Sequence, residues 1–321
     1  MEINRNRAVY CIGESLLDIV FKDGKPLTAK AGGSMLNTAV SLGRSGNKTH
    51  FISDYGLDQA GEIIHQFLKE NCVSTTHICR YDHANTAIAL AFLDEQNNAG
   101  YTFYKQYPEK RMDIQLPEIQ PEDILLFGSF YALTREIREF LVPFVKEARG
   151  KGAIIIYDPN FRKSHLPELE TFKPWIMENL SLADLVRGSD EDFLNIFAAE
   201  TAAAAFHEVV LAKTIRPDDQ GDAVLVYTKN KLGVEIMNGS KHRIFHVPLI
   251  TPVSTIGAGD AFNAGIIHAI LSNNITRNDL GKLDENTLSL LIESGIKFST
   301  DVCMSLENYI TVEFAISLKH D

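Results

Sequence analysis

Short apolar runs rich in β-branched residues alternate along this chain with longer segments whose apolar residues recur every three or four positions. Strands separated by helices in this way predict a parallel sheet covered on both faces. Ligands of such sheets bind at the carboxyl ends of the strands. Strands are expected at Val9–Ile12, Thr49–Ser53, Asp123–Phe127, Ala153–Tyr157, Ala183–Val186 and Ala223–Tyr227, and helices from about Asn37 to Gly46, Gly61 to Asn71 and Thr134 to Arg149.

Two segments interrupt this rhythm. Residues 16–30 alternate weakly around an Asp23-Gly24 turn, and Thr86–Asp94 and Gly100–Tyr104 are two strand-like runs joined by a turn-rich stretch. Extra strands inserted into an α/β unit predict a small sheet that projects over the site as a lid, formed by segments of about 16–32 and 86–112. The chain shows no internal repeat and no linker, so a single domain over 1–321 is expected.

Composition and charge narrow the classes of partner. The net charge of −11 argues against nucleic acid or an anionic membrane surface as a partner, and leaves a small phosphorylated ligand open. The four cysteines are too few and too scattered for a disulfide framework or a zinc site. No apolar run reaches membrane-spanning length, and the first one is too short for a signal peptide. A cytoplasmic protein is expected.

The segment with the clearest chemistry is Ser254–Gly265, where a glycine turn leads directly into an apolar helix. Gly257 and Gly259 allow a sharp turn around Ala258, and the free N–H groups of a helix start bind anions. Asp260 lies at the same place and offers a carboxylate that can accept a proton. An anion-binding turn with a base beside it suits phosphoryl transfer to an alcohol. The same residues are also compatible with Asp260 simply capping the helix.

Two further segments in the first forty residues carry polar groups. Asp18 lies among apolar residues and needs donors, which the hydroxyls of a sugar could supply. An exposed acid at a strand end is the alternative. Gly32 and Gly33 permit a close approach of the backbone to a ligand, and Asn37 offers a donor and an acceptor one turn into the helix. An ordinary helix start is the alternative there.

A third polar cluster, Tyr157-Asp-Pro-Asn-Phe-Arg162, follows a predicted strand directly. Pro159 ends the strand, and Asp158, Asn160 and Arg162 crowd its carboxyl end. Arg162 could supply positive charge to a transferring phosphoryl group or to a polar end of the substrate. A turn closed by an Asp–Arg ion pair fits the same residues.

Taken together, these motifs resemble those of the ribokinase-like carbohydrate kinases, also called the phosphofructokinase B family. Gly32-Gly33 with Asn37, the Asp-Pro-Asn-Phe-Arg run and Thr255-Ile-Gly-Ala-Gly-Asp-Ala-Phe262 occur in the order and at the separations of that family. The resemblance extends from Val9 to about Val312. It implies a three-layer α/β/α ribokinase-like fold with a mostly parallel sheet and a small β lid. Within the family, Gly13-Glu-x-Leu-x-Asp18 and residues 101–106 look most like fructokinases.

The resemblance also implies a role for each matched residue. Asp260 would be the catalytic base, the amides of Gly257, Ala258 and Gly259 the anion hole, and Arg162 a cation near the transfer site. The sugar would be held by Asp18, Gly32, Gly33, Asn37 and Asn160 and covered by Phe103 of the lid. The nucleotide would be bound by Ser189, Asp192, the turn from Thr228 to Gly233, and the two glycines Gly257 and Gly259. ATP and Mg²⁺ are the implied cofactors, and pairing of lids implies a homodimer.

Three departures from the family pattern bear on these roles. Ser254 replaces an acid that commonly helps to hold a monovalent cation, so the sequence leaves potassium activation of this chain open. Ser189-Asp-Glu-Asp192 replaces the usual Asn-x-x-Glu, and Asp192 would organise magnesium through water. Asn230 replaces a glycine in the nucleotide turn, and asparagine tolerates the left-handed conformation.

The sequence leaves several functions open. A fructokinase is favoured, with a 2-keto-3-deoxygluconate kinase, a ribokinase or a catalytically weak sugar sensor of the same fold as alternatives. An acidic acceptor would need a cation. A nicotinamide-dependent dehydrogenase is disfavoured, because residues 13–18 lack the G-x-G-x-x-G turn. The cations available for an acidic acceptor are Lys105, Lys110, Arg111 and Arg162.

Overall fold

The computed structural model describes residues 7–93, 99–215 and 223–319, and in these residues ten strands form a central sheet while four form a separate small sheet. The turn predicted between the two strands of the 86–104 region lies largely outside the described residues. The strands are β1 Val9–Ile12, β2 Leu16–Lys22, β3 Lys25–Gly32, β4 Thr49–Gly56, β5 Val73–Ser74, β6 Ile78–Tyr81, β7 Ile88–Leu93, β8 Ala99–Tyr104, β9 Ile124–Gly128, β10 Ile154–Asp158, β11 Leu185–Ser189, β12 Val224–Thr228, β13 Val234–Asn238 and β14 Lys241–Phe245.

Helices cover both faces of the central sheet. Side chains alternate across β10, so that Ile154 and Ile156 pack into one buried apolar cluster while Ile155 and Tyr157 pack into the other. The fold is therefore the predicted α/β arrangement of three layers. The helices are α1 Ser34–Arg44, α2 Gln59–Glu70, α3 Arg135–Gly150, α4 Leu169–Leu182, α5 Asp190–Phe197, α6 Ala202–Lys213, α7 Ala258–Ser272, α8 Arg277–Leu280, α9 Glu285–Cys303 and α10 Val312–Ser317.

The central sheet has the strand order β14-β13-β12-β11-β10-β9-β1-β4-β5, with β6 also paired to β4. The strands from β12 to β5 run parallel, so their carboxyl ends lie along one edge. Asp158 ends β10, and Ser189 is paired with Thr228 at the ends of β11 and β12. Polar residues that are distant in sequence are thereby brought to a common edge.

The smaller sheet, here called the lid, has the order β3-β2-β7-β8. It confirms that the two segments interrupting the βα rhythm pair with each other. Asp18 is the register partner of Lys30 across β2 and β3, and Ala89 is the partner of Phe103 across β7 and β8.

Two local details differ from the pattern-based expectation. The strand expected at Ala183–Val186 begins two residues later as β11, because Ala183 caps the carboxyl end of α4 and Asp184 accepts a hydrogen bond from the Ile155 amide. The antiparallel strands β13 and β14 extend the sheet beyond β12 and were not predicted. β14 is largely exposed and shows little apolar alternation, whereas β13 is almost entirely buried but only five residues long.

Among the described residues, no single helix is long and apolar enough to cross a membrane, and only the bent pair α5 and α6 together meets a length and composition criterion.

Helix α7 carries Asp260, and its depth in the fold is set by a close crossing with α9. A Cβ built at Gly265 would lie 2.5 Å from the Ser294 carbonyl oxygen and 2.7 Å from Gly295 Cα. Replacing Gly265 by Ala should therefore push the helices apart and lower the free energy of unfolding by about 1–3 kcal/mol. Chemical denaturation measures this change.

Gly150→Ala is the matched control, because no atom lies within 4 Å of a Cβ built at that helix end. Its stability should stay within about 0.5 kcal/mol of the parent protein. Equal stability of the two variants would show that the α7–α9 crossing is not tightly packed.

Candidate active site

Helix α7 begins at a glycine that no other residue could replace without strain. Gly257 is its N-cap with φ of 81°, in the left-handed region, and a Cβ there would collide with the Asn308 carbonyl oxygen. The loop before α10 therefore packs directly against the turn. The glycine predicted to shape the anion-binding turn is required both by its backbone conformation and by this contact.

The amides at the start of α7 are mostly unengaged. In the described part of the chain, the N–H groups of Gly257, Gly259 and Asp260 meet no acceptor, whereas the Ala258 N–H donates to the Thr255 carbonyl at 3.3 Å. Of the three amides predicted to bind an anion, Ala258 is thus occupied by a turn hydrogen bond in this structure. The Asp260 amide is an additional free donor that the sequence prediction did not include.

A buried arginine adds positive charge beside this turn. A Cβ built at Gly259 would lie 2.8 Å from Arg187 Nη1, so the guanidinium packs against the turn itself. Arg187 donates to Asp158 Oδ2 at 3.1 Å and to Thr228 Oγ1 at 2.9 Å. Sequence reasoning missed Arg187. A cation inside a buried parallel strand was the available signal, since such strands are normally apolar throughout.

Asp158 orients Arg187 rather than facing a ligand. It is fully buried, and its Oδ2 also accepts from Asn263 Nδ2 at 2.6 Å. Its Oδ1 accepts from the Asn160 amide at 3.0 Å, which fixes Asn160 in the left-handed conformation with φ of 37°. The turn after β10 is thus closed by an Asx-type hydrogen bond.

Arg162 is not part of an Asp158–Arg162 ion pair, the alternative left open by the sequence. Among the described residues it makes no ion pair, and its exposed guanidinium acts on Asp260 by charge alone, in the direction that lowers the pKa of that carboxyl. A cation close enough to influence Asp260 and free of a partner suits the predicted position near the transfer site.

Asp260 is held at the mouth of the turn by two donors from α1. Ser34 Oγ donates to its Oδ1 at 2.6 Å, and Asn37 Nδ2 donates to its Oδ2 at 2.8 Å. Burial raises the pKa of Asp260 to about 6, despite the lowering effect of these two hydrogen bonds. Asn37, predicted to hold a sugar, thus contacts the predicted base. Ser34 was not predicted.

Asp18 has the features of an unsatisfied carboxylate that awaits a ligand. In the described residues it accepts no hydrogen bond, and burial, followed by the charge of Glu14, raises its pKa to about 7. A Cβ at Gly32 would collide with Asp18 Oδ2, so Gly32 makes room for this side chain. Gly33 has φ of 130° and packs against the Glu14 carbonyl oxygen, which joins the start of α1 to the end of β1.

The lid-side wall of the site is built around Glu14. Its Oε1 accepts from Lys105 Nζ at 2.6 Å and from Tyr107 Oη at 2.5 Å. Lys105 Nζ also lies 5.0 Å from the centroid of the Phe103 ring, and that ring is 53% exposed on β8. Phe103 is therefore placed on the lid with its ring about half exposed, and its predicted role of covering the sugar stays a prediction.

The turn predicted to bind nucleotide follows β12. Thr228 Oγ1 accepts from Arg187, and Gly233 has φ of 111°. Asn230 adopts the left-handed conformation with φ of 46°, as the substitution of asparagine for glycine predicts. Lys229 in the same turn is tied to Glu235 of β13 at 2.6 Å.

Asp192 does not fit the predicted magnesium role in this arrangement. Its Oδ2 accepts from the Ser189 amide and hydroxyl, and its Oδ1 accepts from the Phe161 amide at 2.6 Å. Ser189 and Asp192 form a capping box at the start of α5, and Asp192 is 5% exposed. The described residues contain no group of three or more metal-ligating side chains. We assign no chemical step to a metal held by Asp192.

Comparison with known proteins agrees with this geometry. The pfkB family carbohydrate kinase model matches residues 6–282, and the chain belongs to that family. It is 30% identical over 291 residues to a fructokinase of Rhizobium leguminosarum bv. trifolii, covering 87% of this chain and 85% of that protein. It is 29% identical over 295 residues to a probable fructokinase-7 of Arabidopsis thaliana, covering 87% and 83%. The protein is thus a sugar phosphotransferase.

Solved structures share the fold at lower identity. A fructokinase double mutant from Vibrio cholerae O395, described with fructose, ADP and potassium ion bound, superposes with a TM-score of 0.80 at 19% identity, covering 97% of this chain and 98% of that one. The aminoimidazole riboside kinase of Salmonella enterica gives 0.81 at 19%, covering 98% and 100%. These matches establish the ribokinase-like fold with its small separate sheet.

The two raised carboxyl pKa values predict an acid limit to activity. As pH falls, Asp18 gains its proton around pH 7 and Asp260 around pH 6, so the carboxylate predicted to hold the sugar and the predicted base are lost in turn. The value of kcat/KM for the sugar should therefore decline below pH 7 and more steeply below pH 6.

Steady-state kinetics across this range measure the profile. Asp18→Asn should leave a single acid limb near pH 6, because only Asp260 then titrates. Ser34→Ala should move that limb to higher pH, because it removes a donor that stabilises the Asp260 carboxylate. A profile that stays flat well below pH 6 would rule out Asp260 as the titrating base.

Proposed function

We propose that this protein is a fructokinase that transfers the γ-phosphoryl group of ATP to a hydroxyl of fructose. The observation that carries the proposal is the Asp260 carboxylate, held by Ser34 and Asn37 directly beside the free amides of Gly257 and Gly259. The group that would activate the acceptor hydroxyl therefore lies next to the groups that would stabilise the developing anion. The similarity to fructokinases of other organisms supports the choice of acceptor.

In the proposed reaction, the acceptor hydroxyl oxygen forms a bond to the γ-phosphorus while the bond from that phosphorus to the β–γ bridging oxygen breaks. Asp260 takes the hydroxyl proton, and a pKa of about 6 keeps it ionised but basic enough to do so near neutral pH. The leaving group is ADP. The developing negative charge is stabilised by the free amides at the start of α7 and by its helix dipole.

Arg187 and the nucleotide turn complete the phosphate side of the proposed site. The guanidinium lies against Gly259 and is fixed by Asp158 and Thr228, so its charge is held in place before any ligand arrives. Preorganised charge of this kind avoids reorganisation during the reaction. We assign the nucleotide to the turn from Thr228 to Gly233, and magnesium to the nucleotide's own phosphates and water, as is usual for that ion.

The charges around the acceptor side favour a neutral sugar over an acidic one. Of the four cations that could have bound a carboxylate, three are neutralised by acids of this chain. Of these four cations, Arg162 alone makes no ion pair among the described residues, and it belongs to the proposed transfer site. The neutralised pairs are Lys105 with Glu14, Lys110 with Asp113, and Arg111 with Asp54.

We extend the proposal to assembly and location. The lid exposes the apolar side chains of Leu27, Phe92 and Tyr104, at 63%, 46% and 60%. These exposed apolar groups on one small sheet support a homodimer formed through the lids. Since the substrates are ATP and a free sugar, we place the enzyme in the cytoplasm.

Replacing Asp260 by Asn should lower kcat by about 10²–10⁴-fold, because the amide cannot accept the hydroxyl proton. A coupled ADP-release assay with fructose measures the loss. ADP affinity, measured by calorimetry, should stay close to that of the parent protein, because the amides at the start of α7 remain.

Asp23→Asn is the matched control for that variant. Asp23 lies in the lid turn with φ of 53°, a conformation that asparagine also tolerates, so its turnover should be unchanged. Turnover by Asp260→Asn at the parent rate would remove the proposed base. Binding of fructose and ATP without turnover by the parent protein would instead indicate a sugar sensor.

A panel of fructose, ribose and 2-keto-3-deoxygluconate tests the acceptor. Fructose should have the highest kcat/KM. Glu14→Gln frees the Lys105 ammonium, and should raise the kcat/KM for 2-keto-3-deoxygluconate relative to fructose by about tenfold.

Glu62→Gln is the control for this charge effect, since Glu62 pairs with Arg80 outside the proposed site and should leave the ratio unchanged. A parent enzyme that prefers 2-keto-3-deoxygluconate would contradict the assignment to fructose. An unchanged ratio in Glu14→Gln would show that the Lys105 pair does not control acceptor charge.

A further inference from the structure

A buried ion pair ties the segment that follows the lid to β4. Arg111 donates from Nε to Asp54 Oδ2 and from Nη2 to Asp54 Oδ1, both at 2.7 Å. The two side chains are 3% and 0% exposed, and Tyr131 Oη donates to the same Oδ1 at 2.9 Å. The guanidinium is thus held in one place and one plane.

An ion pair of this kind fixes geometry more than it adds stability. Replacing a buried ion pair by apolar residues of similar size is often neutral or stabilising, because both charges lose their hydration on burial. The residue after Arg111 supports the geometric role. Met112 is buried and has φ of 58°, a left-handed conformation that a residue with a side chain keeps only where its surroundings impose it.

The fixed guanidinium packs on an aromatic ring that reaches the proposed acceptor side. The guanidinium carbon of Arg111 lies 3.6 Å from the centroid of the Tyr107 ring and 5.4 Å from that of the Tyr131 ring. Tyr107 Oη donates in turn to Glu14 Oε1 at 2.5 Å. A continuous series of contacts therefore runs from the buried ion pair through Tyr107 to Glu14.

Glu14 acts on the carboxylate that is predicted to hold the sugar. Its charge adds to the effect of burial in raising the pKa of Asp18, so the two carboxylates are within electrostatic reach of each other. Glu14 Oε1 also accepts from Lys105 Nζ at 2.6 Å. The position of Glu14 therefore sets how much negative charge Asp18 meets and how fully Lys105 is paired.

We propose that Arg111 is a positioning residue, which holds the Tyr107 ring so that its hydroxyl fixes Glu14 on the acceptor side. Asp54 contributes by orienting the guanidinium. This inference rests on the proposed function for its kinetic readout, and on the ionisation of Asp18 for a readout that needs no turnover.

Two variants interrupt the series at different contacts. Tyr107→Phe keeps the ring over Arg111 but removes the hydroxyl that reaches Glu14. The double variant Asp54→Asn/Arg111→Gln removes the fixed cation and leaves no unpaired charge buried. If that double variant does not fold, Arg111→Lys takes its place, because an ammonium still pairs with Asp54 but lacks the planar fork.

Each variant should lower kcat/KM for fructose by about three- to tenfold, because the acceptor-side carboxylates are less well oriented. ADP affinity should stay within about twofold of the parent value, because the nucleotide side is untouched. Combining Tyr107→Phe with either change at Arg111 should cost little more than the larger single loss, since both act through one contact.

Carbon-13 NMR of protein labelled at its aspartate carboxyl groups measures the ionisation of Asp18, with Asp18→Asn assigning the signal. The acid dissociation constant of Asp18 should rise about threefold in the variants, because the Glu14 charge is no longer fixed nearby. Glu14→Gln sets the upper limit of this effect. The other ionisable side chains that interact with Glu14 are Lys105, Tyr107 and His165.

Arg138 provides the matched control. It is a buried arginine of α3 that pairs with Glu178 at 2.6 Å and lies 5.2 Å from the centroid of the Trp175 ring on α4. Arg138→Gln/Glu178→Gln should leave kcat/KM and the ionisation of Asp18 at parent values, while its melting temperature reports the cost of losing such a pair.

Three results would overturn the inference. The first is parent values of both readouts in the folded Arg111 variant, and the second is losses that multiply when it is combined with Tyr107→Phe. The third is equal losses in the Arg138 control, which would indicate a merely structural role. If no sugar of the panel is phosphorylated, the proposed function fails separately, and the ionisation of Asp18 still decides the role of Arg111.

Discussion

The organisation of this site depends on one constraint: a helix must begin where its first N–H groups are left without acceptors. Gly257 makes this start possible through its left-handed φ, and the Asn308 carbonyl leaves no space for any larger residue. Free amides at that point attract an anion. The negative charge of that anion would repel the Asp260 carboxylate if the carboxylate were not fixed in place. Ser34 and Asn37 supply that fixation from α1.

The electrostatics on the two sides of Asp260 are different. On the proposed phosphate side, Arg187 is buried and its guanidinium is fixed by Asp158 and Thr228. On the proposed acceptor side, the Asp18 carboxylate has no donor among the described residues, and Glu14 lies close enough to raise its pKa. Arg187 is therefore held by partners within the protein, whereas the Asp18 carboxylate has none among the described residues.

Much of this arrangement could be predicted from sequence because its signals are local. The glycine turn before α7, the parallel strands and the two lid segments each follow from neighbouring residues. Ser34 could not be predicted, since it meets Asp260 across 226 positions of the chain. Arg187 did leave a signal, a cation inside a buried strand, but only the fold shows that Gly259 lies against its guanidinium. The family resemblance implied a magnesium role for Asp192, and sequence could not show that its carboxylate closes a capping box, which calls for the same residue types.

The crossing of α7 and α9 has a consequence for how this enzyme tolerates mutation. Gly265 lies five residues beyond Asp260, about 7 Å along the helix axis. Gly295 on the facing helix is pressed by the Phe262 ring, and that ring lies 5.9 Å from the Arg187 guanidinium. A side chain added at either glycine would thus shift both the Asp260 carboxylate and the Arg187 guanidinium. Substitutions at these two buried glycines, whether natural or from a mutant library, should therefore be tolerated as poorly as substitutions in the proposed site itself.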